Sequence, residues 1–564
     1  MLGGVLIAVL GYERRFICDD GLIYTRTVRE ILAGNGPNFS PGERAEASTS
    51  TAWQWLLALL GWVSGADVAR LAVATGLVLT VAGFAVALDG SRRMQLEQGG
   101  RLLLPGGVTL LLALPPVWDY ATSGLETGLA TFWMASCWWL LVTLRPGHRA
   151  ARTFLTTVAL GLGPLVRPDL ALVSMVFLWA GWCLGRPPSR RAAAALLATG
   201  ALPVAYEIFR MGYYGVLQPL PGLTKEAGAA DWSRGVGYVE NFIGPYWLYL
   251  GLPLALVLLL SGHPDGAASR YRMLRLAPCL SGGLLALYVV RVGGDWMQAR
   301  MLLPALFLVM LPVLVVPASR RTAATLALLA VWSGLTLSSI PSPYLGQAGQ
   351  PLEALTHHTA LDVHRSVVQF SGVAHPVSGR DYLPEFADHQ RAVQKALASG
   401  RSTLLLFHDV GGTPRLYPVE LAGSPNSRTL VVAALSLGAT GELVPLDERV
   451  VDQLSLAYPL GAHLQLQRSL FAGHEKWISN AWILAGYVLA SVSPVTKSAG
   501  VTPAEVSAAR SALRCGQLRE LQESVRAPLT LARFWENVVG APRRTALRVP
   551  RDPRVAVRRF CGVG

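Results

Sequence analysis

Long apolar stretches fill most of the first 341 residues of this 564-residue chain, and short polar loops separate them. A helix needs about 20 apolar residues to cross a bilayer, where every backbone amide must be hydrogen-bonded within its own segment. Charged residues make up only 15% of the chain, whereas soluble domains contain about 25%. The sequence therefore predicts an α-helical polytopic membrane protein.

We expect about 11 transmembrane helices. The first contains Met1–Leu10 and continues towards Ile17. The others lie near residues 67–88, 102–118, 128–144, 153–166, 170–185, 192–210, 245–261, 276–291, 301–317 and 322–340. The apolar stretch Trp53–Trp62 is short and aromatic, so we expect a helix that lies in the membrane interface, within a first outer loop of residues 13–66.

Arginine-rich loops alternate along the chain with loops that carry other polar motifs. The arginine-rich loops contain Arg92 with Arg93, residues 145–152, residues 186–191, residues 270–275, and Arg320 with Arg321. Positively charged loops stay in the cytoplasm. With eleven spans, this rule places the amino terminus inside and the carboxyl-terminal region outside. A spanning helix at Trp53–Trp62 would move Arg92 and Arg93 outside, against the charge bias.

Residues 342–564 have an ordinary charge content, and we expect a soluble, mixed α/β, extracytoplasmic domain there. Cys515 and Cys561 are the only two cysteines of this region. On an oxidising outer face they should form a disulfide. The net charge of +14 is not accompanied by a basic run with interleaved aromatic residues, which argues against nucleic-acid binding.

Five short polar motifs lie in the loops that we assign to the outer face. They are Asp19-Asp20-Gly21, Ser123–Thr127 with Glu126, Arg167-Pro168-Asp169, Tyr213-Tyr214-Gly215 with Lys225 downstream, and Gly293–Met297 with Arg300. Charged groups at a membrane edge are costly unless they line a wet cavity or have partners. Their accumulation on one face predicts a reaction centre.

The adjacent carboxylates of Asp19 and Asp20 suit either a general base for a hydroxyl group or a divalent cation site. The alternative is that they only cap the amphipathic stretch Leu22–Leu32. Lys225 is a single lysine in an outer loop of a lysine-poor chain, which fits an anion-binding role. No spacing of cysteine and histidine resembles a zinc site.

The other charged residues each have a structural alternative. Glu126 could be an acid of the first helical turn, which the helix dipole favours. Arg167 and Asp169 could form a local ion pair, and so could Asp295 and Arg300. In the carboxyl-terminal domain, the histidine of Gly473–Lys476 is either a base, an acceptor contact, or a residue satisfied within its own turn.

The order of these motifs resembles the GT-C class of integral-membrane glycosyltransferases, which use polyprenyl-phosphate sugars as donors. The first loop is similar to that of the actinobacterial terminal beta-arabinofuranosyltransferases (AftB-like). The matching stretches are Asp19–Ile23, Arg26–Arg29, Gly34–Pro37, Gly42–Arg44, Thr49–Thr51 with Trp53, Ser123–Thr127, Arg167–Asp169, Tyr213–Lys225, Gly293–Met297, Leu454–Leu460 and Gly473–Lys476. Together these stretches extend over nearly the whole chain.

The resemblance implies a GT-C fold, with residues 1–341 as the catalytic domain and residues 342–564 as a domain that binds the acceptor carbohydrate. It implies an enzyme of the bacterial plasma membrane that transfers arabinofuranose from decaprenyl-phosphoryl-arabinofuranose to arabinan ends in cell-wall arabinogalactan. The linkage would be terminal beta-(1->2), and lipoarabinomannan is a further candidate acceptor. Three alternatives stay open: a transferase for another lipid-linked sugar such as mannose, a transporter of lipid-linked glycans, and a membrane sensor.

Under this resemblance the donor phosphate or sugar is bound by Glu126, Arg167, Asp169, Lys225, Asp295 and Arg300. Asp19 or Asp20 is the catalytic base, and any divalent cation would also bind this pair. His474 and Trp296 lie on the acceptor side. A beta-linked donor and a beta-linked product mean that configuration is retained. Retention requires either a carboxylate nucleophile about 5 Å from a second carboxyl group, or front-face attack, and the sequence leaves both open.

Overall fold

The computed structural model describes residues 2–145, 150–185, 189–261, 269–339, 356–357, 360–384, 386–410, 413–421, 429–467, 469, 471–487 and 499–562. The predicted domain boundary near residue 341 lies outside these ranges. Parts of two arginine-rich loops, residues 146–149 and 186–188, lie outside them as well.

Helices make up most of the described chain before residue 340. They are Leu2–Glu13, Asp19–Leu32, Thr51–Ser64, Val68–Glu97, Gly107–Leu112, Pro115–Asp119, Thr127–Thr143, Ala150–Leu160, Gly163–Val166, Ala171–Gly185, Ser189–Tyr214, Leu220–Thr224, Trp232–Ile243, Leu248–Ser261, Ser269–Arg291, Leu303–Met310 and Arg320–Ser339.

Five helices of the described chain are long and apolar enough to cross a membrane. They are Val68–Glu97, Pro168–Gly185, Ala193–Tyr214, Ser269–Arg291 and Arg320–Ser339, and each overlaps a span predicted from the sequence. A sixth crossing is formed if Trp232–Ile243 and Leu248–Ser261, which meet at 84°, are counted as one broken span. The chain is therefore a mostly helical membrane protein.

The predicted span near residues 153–166 is divided between the helices Ala150–Leu160 and Gly163–Val166. Two others, near residues 102–118 and 301–317, are not continuous helices either. Each of these two contains a short strand, and Leu103–Pro105 pairs antiparallel with Val315–Pro317. The helical part of the second segment also ends in a 3-10 turn, Leu311–Val313. Proline has no amide hydrogen and clashes with the preceding turn. Pro115 begins the second helix of the first segment, and Pro312 lies in the 3-10 turn of the second. Each segment is therefore interrupted at a proline instead of continuing as one helix, which its apolar composition alone does not show.

The helix Thr51–Ser64 has one buried and one exposed apolar face. Trp53 and Leu57 are fully buried, whereas Leu59 and Trp62 are 56% and 76% exposed. Because a large apolar face is stable only against lipid or protein, this distribution fits the interfacial helix predicted from the sequence.

The region after residue 360 contains a four-stranded mixed sheet surrounded by helices. The strand order is Thr413–Glu420, Thr403–Val410, Leu430–Ala434 and Arg449–Asp452, with one antiparallel and two parallel pairings. The helices are Val363–Ser371, Ala387–Ser399, Leu437–Leu443, Pro459–Ala462, Asn480–Tyr487, Pro503–Leu513, Gly516–Arg526, Leu531–Ala546 and Pro553–Cys561. Every residue of Leu430–Ala434 is buried, as expected for a strand with both faces covered. A disulfide joins Cys515 to Cys561, at the ends of two of these helices.

The helix Asp19–Leu32 holds the carboxyl-terminal region against the membrane part of the chain. The carboxylate of Asp19 accepts hydrogen bonds from the amides of Gly438 and Ala439, at the start of Leu437–Leu443. The guanidinium of Arg26 donates to the carbonyls of Gly441 and Val444, both at 2.6 Å, at the end of the same helix. Asp19 therefore accepts from free amides at the start of this short helix, and Arg26 donates to free carbonyls at its end.

Candidate active site

Seven charged side chains from five separate segments converge beside the helix Asp19–Leu32. They are Asp20, Glu126, Arg167, Asp169, Lys225, Asp295 and Arg300, and we call them the charge cluster. All seven were predicted as site residues from the sequence. The structure brings all of them together.

Arg300 is at the centre of the charge cluster. Its Nη2 donates to Glu126 Oε1 at 3.2 Å, and its Nη1 donates to Asp295 Oδ2 at 3.1 Å. The same Nη1 lies 3.9 Å from Asp20 Oδ2. Three carboxylates from different parts of the chain are thus held by one guanidinium.

Arg167 forms a second positive centre at the edge of the charge cluster. It forms a bidentate salt bridge with Asp169, through Nε to Oδ1 at 3.0 Å and through Nη2 to Oδ2 at 2.7 Å. Its Nε also lies 3.9 Å from Glu126 Oε1. The ion pair of Arg167 and Asp169 that the sequence suggested is therefore present. Glu126 links it to Arg300.

Two nitrogen atoms of these arginines have no hydrogen-bond partner among the described residues. They are Arg167 Nη1 and Arg300 Nε, and both are buried. Buried polar atoms in native proteins almost always have a partner. These two donors, both from cationic side chains, give the charge cluster hydrogen-bonding capacity that no described residue uses.

Lys225 approaches the charge cluster from the opposite side, with Nζ at 3.0 Å from Asp295 Oδ1. Its loop is held by the carboxyl-terminal region. Lys476 is completely buried and donates to the carbonyl of Leu223 at 2.8 Å while pairing with Glu226 at 2.6 Å. Thr224 donates to the carbonyl of Ser455 at 2.6 Å. The position of Lys225 thus depends on contacts with the second part of the chain.

Exposure within the charge cluster is uneven. The side chains of Glu126 and Asp295 are each 1% exposed, whereas those of Asp20 and Lys225 are 19% and 27% exposed. A ligand that approaches from solvent therefore meets Asp20 and Lys225 first.

The pKa values of the carboxyl groups separate into two kinds. Burial raises the pKa of Asp20, although Lys225 and Arg300 act in the opposite direction. Burial also opposes ionisation of Glu126 and Asp295, but neighbouring cations overcome it, so the pKa of each lies below the ordinary value. Glu126 and Asp295 are therefore fixed anions, and Asp20 is the carboxylate most suited to accept a proton.

Asp19 does not face the charge cluster. Its two oxygens accept from the amides of Ala439 and Gly438, at 2.8 and 3.1 Å. Burial raises the pKa of Asp19 to about 6, with the two amide hydrogen bonds acting against this shift. The adjacent carboxylates point apart, because neighbouring residues on a helix are rotated by about 100°.

The groups around Asp19 and Asp20 are not a suitable set of ligands for a divalent cation. Asp19 is occupied by two amides, and the nearest charged neighbour of Asp20 is the cation Arg300. Within the described ranges, no three His, Cys, Asp or Glu side chains converge as metal ligands. We therefore derive no step through a metal ion.

His474 and Trp296, which were predicted on the acceptor side, face each other with ring centroids 6.1 Å apart. His474 Nδ1 is buried without a partner among the described residues. Burial lowers the pKa of His474 below its ordinary value. A backbone hydrogen bond with Ala472 and the charge of Asp20 act in the opposite direction but are weaker. Its imidazole is therefore neutral near pH 7 and able to exchange hydrogen bonds with a neutral hydroxyl ligand.

Tyr24 is a member of the site that was not predicted from the sequence, and its hydroxyl donates to Glu126 Oε2 at 3.2 Å. The same hydroxyl accepts from the amide of Ser50 at 2.9 Å. Tyr24 lies four residues after Asp20, on the same face of an amphipathic helix. That spacing was the available signal.

Comparison with known proteins is consistent with this site. Residues 384–558 match the AftB family C-terminal domain. The chain is 36% identical to the terminal beta-(1->2)-arabinofuranosyltransferase of Mycobacterium tuberculosis, over 99% of this chain and 96% of that protein. It is 33% identical to the protein of the same name from Corynebacterium glutamicum, over 95% of this chain and 84% of that protein. No solved structure matches the chain. Because similarity at this level extends over nearly its whole length, the chain belongs to the terminal beta-(1->2)-arabinofuranosyltransferase family.

Proposed function

We propose that this enzyme transfers arabinofuranose from decaprenyl-phosphoryl-arabinofuranose to the non-reducing ends of arabinan in cell-wall arabinogalactan, with lipoarabinomannan as a second candidate acceptor. The linkage formed is terminal beta-(1->2). The observation that carries the proposal is the charge cluster, in which two buried arginine nitrogens lack partners beside a solvent-accessible carboxylate. The first property suits a phosphate ligand and the second suits a base.

The donor phosphate is bound by Lys225, Arg167 and Arg300. The two unpaired arginine nitrogens and the exposed ammonium supply donors from more than one direction. Negative charge grows on the phosphate as the bond to the sugar breaks, and preorganised donors lower the barrier of such a step by several kcal/mol. Glu126, Asp169 and Asp295 hold these cations in place.

Asp20 removes the proton from the acceptor hydroxyl. It is the most exposed carboxylate of the charge cluster, and its nearest charged partner is 3.9 Å away. Burial raises its pKa towards the working pH, which increases the strength of the base. Asp19 positions the helix that carries Asp20 by binding two amides of the carboxyl-terminal region.

Retention of configuration proceeds by front-face attack on an oxocarbenium-like ion pair. The alternative needs a free carboxylate nucleophile besides the base. Asp295 is the carboxylate nearest to that role, but Lys225, Arg300 and the amide of Trp296 already contact its two oxygens. Its lowered pKa also marks it as a weak nucleophile.

The protein spans the bacterial plasma membrane eleven times, with the charge cluster and residues 342–564 on the extracytoplasmic face. The five long helices account for some of these crossings, and the shorter apolar helices and the broken segments account for the rest. The disulfide between Cys515 and Cys561 supports an oxidising location for its domain. Residues 1–341 form the catalytic domain, and residues 342–564 bind the acceptor.

The test is transfer by the purified full-length protein in lipid nanodiscs. The protein is given decaprenyl-phosphoryl-arabinofuranose and a synthetic arabinan acceptor, with and without a chelator, and the anomeric linkage of the product is determined by NMR. We expect a terminal beta-(1->2) linkage. Transfer of mannose from the matching lipid donor, with none of arabinose, would contradict the proposal, and loss of activity with chelator would contradict the metal-free mechanism.

A further inference from the structure

The carboxyl-terminal domain contains a cavity of about 320 Å³ that lies apart from the charge cluster. Its lining includes aromatic residues, three uncharged polar residues and one arginine, and none of them belongs to the charge cluster. Cavities that bind small ligands start at about 300 Å³ and combine apolar walls with a few polar groups. The proposed transfer mechanism leaves this cavity without a role.

Trp477 forms an exposed aromatic wall of the cavity. Its side chain is 40% exposed, and its ring lies 6.3 Å from the ring of Phe407, which is buried. Arg551 donates to the carbonyls of Trp477 and Glu475, both at 3.0 Å, and so fixes the backbone on which the indole is carried. A rigid indole face can pack against the C–H face of a sugar ring.

A buried amide supplies the polar side of the cavity. Gln453 donates through Nε2 to Asn480 Oδ1 at 3.0 Å, whereas its Oε1 has no partner among the described residues. Asn480 in turn donates to the carbonyls of Phe407 and Ala499. These contacts fix both amide orientations and leave one free acceptor. A neutral ligand with hydroxyl donors matches an apolar wall and an unpaired carbonyl oxygen.

The segment that leads to Trp477 contacts Lys225 of the charge cluster and Trp296 beside it. Gly473 packs against the side chain of Lys225, where an added Cβ would lie 3.1 Å from Cε, and His474 faces Trp296. Trp477 follows His474 by three residues, a separation that the backbone spans in at most about 10 Å. An oligosaccharide of a few sugars is therefore long enough to extend from the charge cluster to the cavity.

We infer that this cavity is an acceptor subsite, which binds an inner sugar of the arabinan chain whose non-reducing end lies at the charge cluster. The inference rests on the proposed function, because it takes arabinan as the ligand. Trp477 and Phe407 contact the sugar ring, and Gln453 Oε1 accepts from one of its hydroxyl groups. The subsite makes long acceptors bind more tightly than short ones and leaves the chemical step unchanged.

The test compares a synthetic arabinose disaccharide with a longer linear arabinan oligosaccharide on the full-length protein in nanodiscs. We expect Trp477→Ala to raise Kd and KM for the long acceptor by about tenfold, because the binding free energy of one aromatic contact corresponds to about this factor. The kcat, and the KM for the disaccharide, should stay at the parent values. Trp477→Phe, which keeps a ring, should lose less. Trp535→Ala is the control, because Trp535 is an exposed tryptophan of the same domain outside the cavity.

An unchanged Kd for the long oligosaccharide in Trp477→Ala would overturn the inference. Equal losses for the disaccharide and the long acceptor would also overturn it, because they would show a general disturbance of the domain. The direct binding measurement needs no turnover. A Trp477-dependent Kd in a protein that transfers no arabinose would therefore support the subsite while contradicting the proposed function.

Discussion

Asn substitution of the two adjacent aspartates should separate the base from the positioning residue. Asp20→Asn removes the proton acceptor of the charge cluster but keeps its size. Loss of a positioned base lowers kcat by about 10²–10⁴-fold, which is about 2.7–5.5 kcal/mol in the activation barrier. Burial already opposes the charge of Asp20, and its ion pair with Arg300 is 3.9 Å long. Asp20→Asn should therefore leave the thermal midpoint of unfolding near that of the parent.

Asp19→Asn should have the opposite effect, with a change in stability and little change in kcat. One oxygen of the new amide can still accept from Ala439 or Gly438, but its NH₂ group then faces the other backbone amide. Leaving a buried donor unsatisfied costs about 1–3 kcal/mol. We expect a lower unfolding midpoint and a kcat within about tenfold of the parent, since the proton acceptor is intact.

The assay measures kcat with saturating lipid donor and acceptor, and the unfolding midpoint by scanning fluorimetry, on the same nanodisc preparations. Binding of the lipid donor by each variant is measured in parallel, so that a loss of turnover can be distinguished from a loss of donor binding. If Asp20→Asn turns over like the parent, the assignment of the base is wrong. If Asp19→Asn alone abolishes turnover at an unchanged midpoint, the two roles are reversed.

Four other changes test the electrostatics, packing, disulfide and topology of the protein. Lys225→Met removes a cation that lowers the pKa of Asp20, so the acid limb of the kcat/KM profile should move to higher pH; a limb at the parent position would contradict this. Gly438→Ala should destabilise the protein by about 1–3 kcal/mol, because the added methyl would lie 2.0 Å from a backbone oxygen. Gly486→Ala, whose nearest atom among the described residues is at 3.8 Å, should not destabilise the protein in the same unfolding assay. Cys515→Ser should lower the free energy of unfolding by about 3–4 kcal/mol, and intact mass of the parent should show no free thiol pair in this domain. A reporter that works only outside the cytoplasm, fused to the carboxyl terminus, should be active, and activity of a cytoplasmic reporter there would reverse the topology.

The sequence by itself determined the class of protein and indicated the seven residues of the charge cluster, although not Tyr24. Apolar stretches such as residues 67–88 and 276–291 are long enough to dictate helices in lipid, whatever the rest of the fold does. Polar motifs at the ends of such stretches can only lie near the membrane surface. Together with the alternation of arginine-rich loops, this placement assigns residues as distant as Asp20 and Arg300 to one face of the membrane.

Only the tertiary structure decided which contacts each member of the site makes. Asp19 and Asp20 are chemically identical neighbours, and their contacts differ because the helix that carries them lies against Leu437–Leu443 on one face and near Arg300 on another. The sequence also could not show that segments 102–118 and 301–317 are broken, since composition does not record that Leu103–Pro105 finds a strand partner in Val315–Pro317. Contacts between residues far apart in the chain are set by the packing of whole elements, and a local pattern does not contain them.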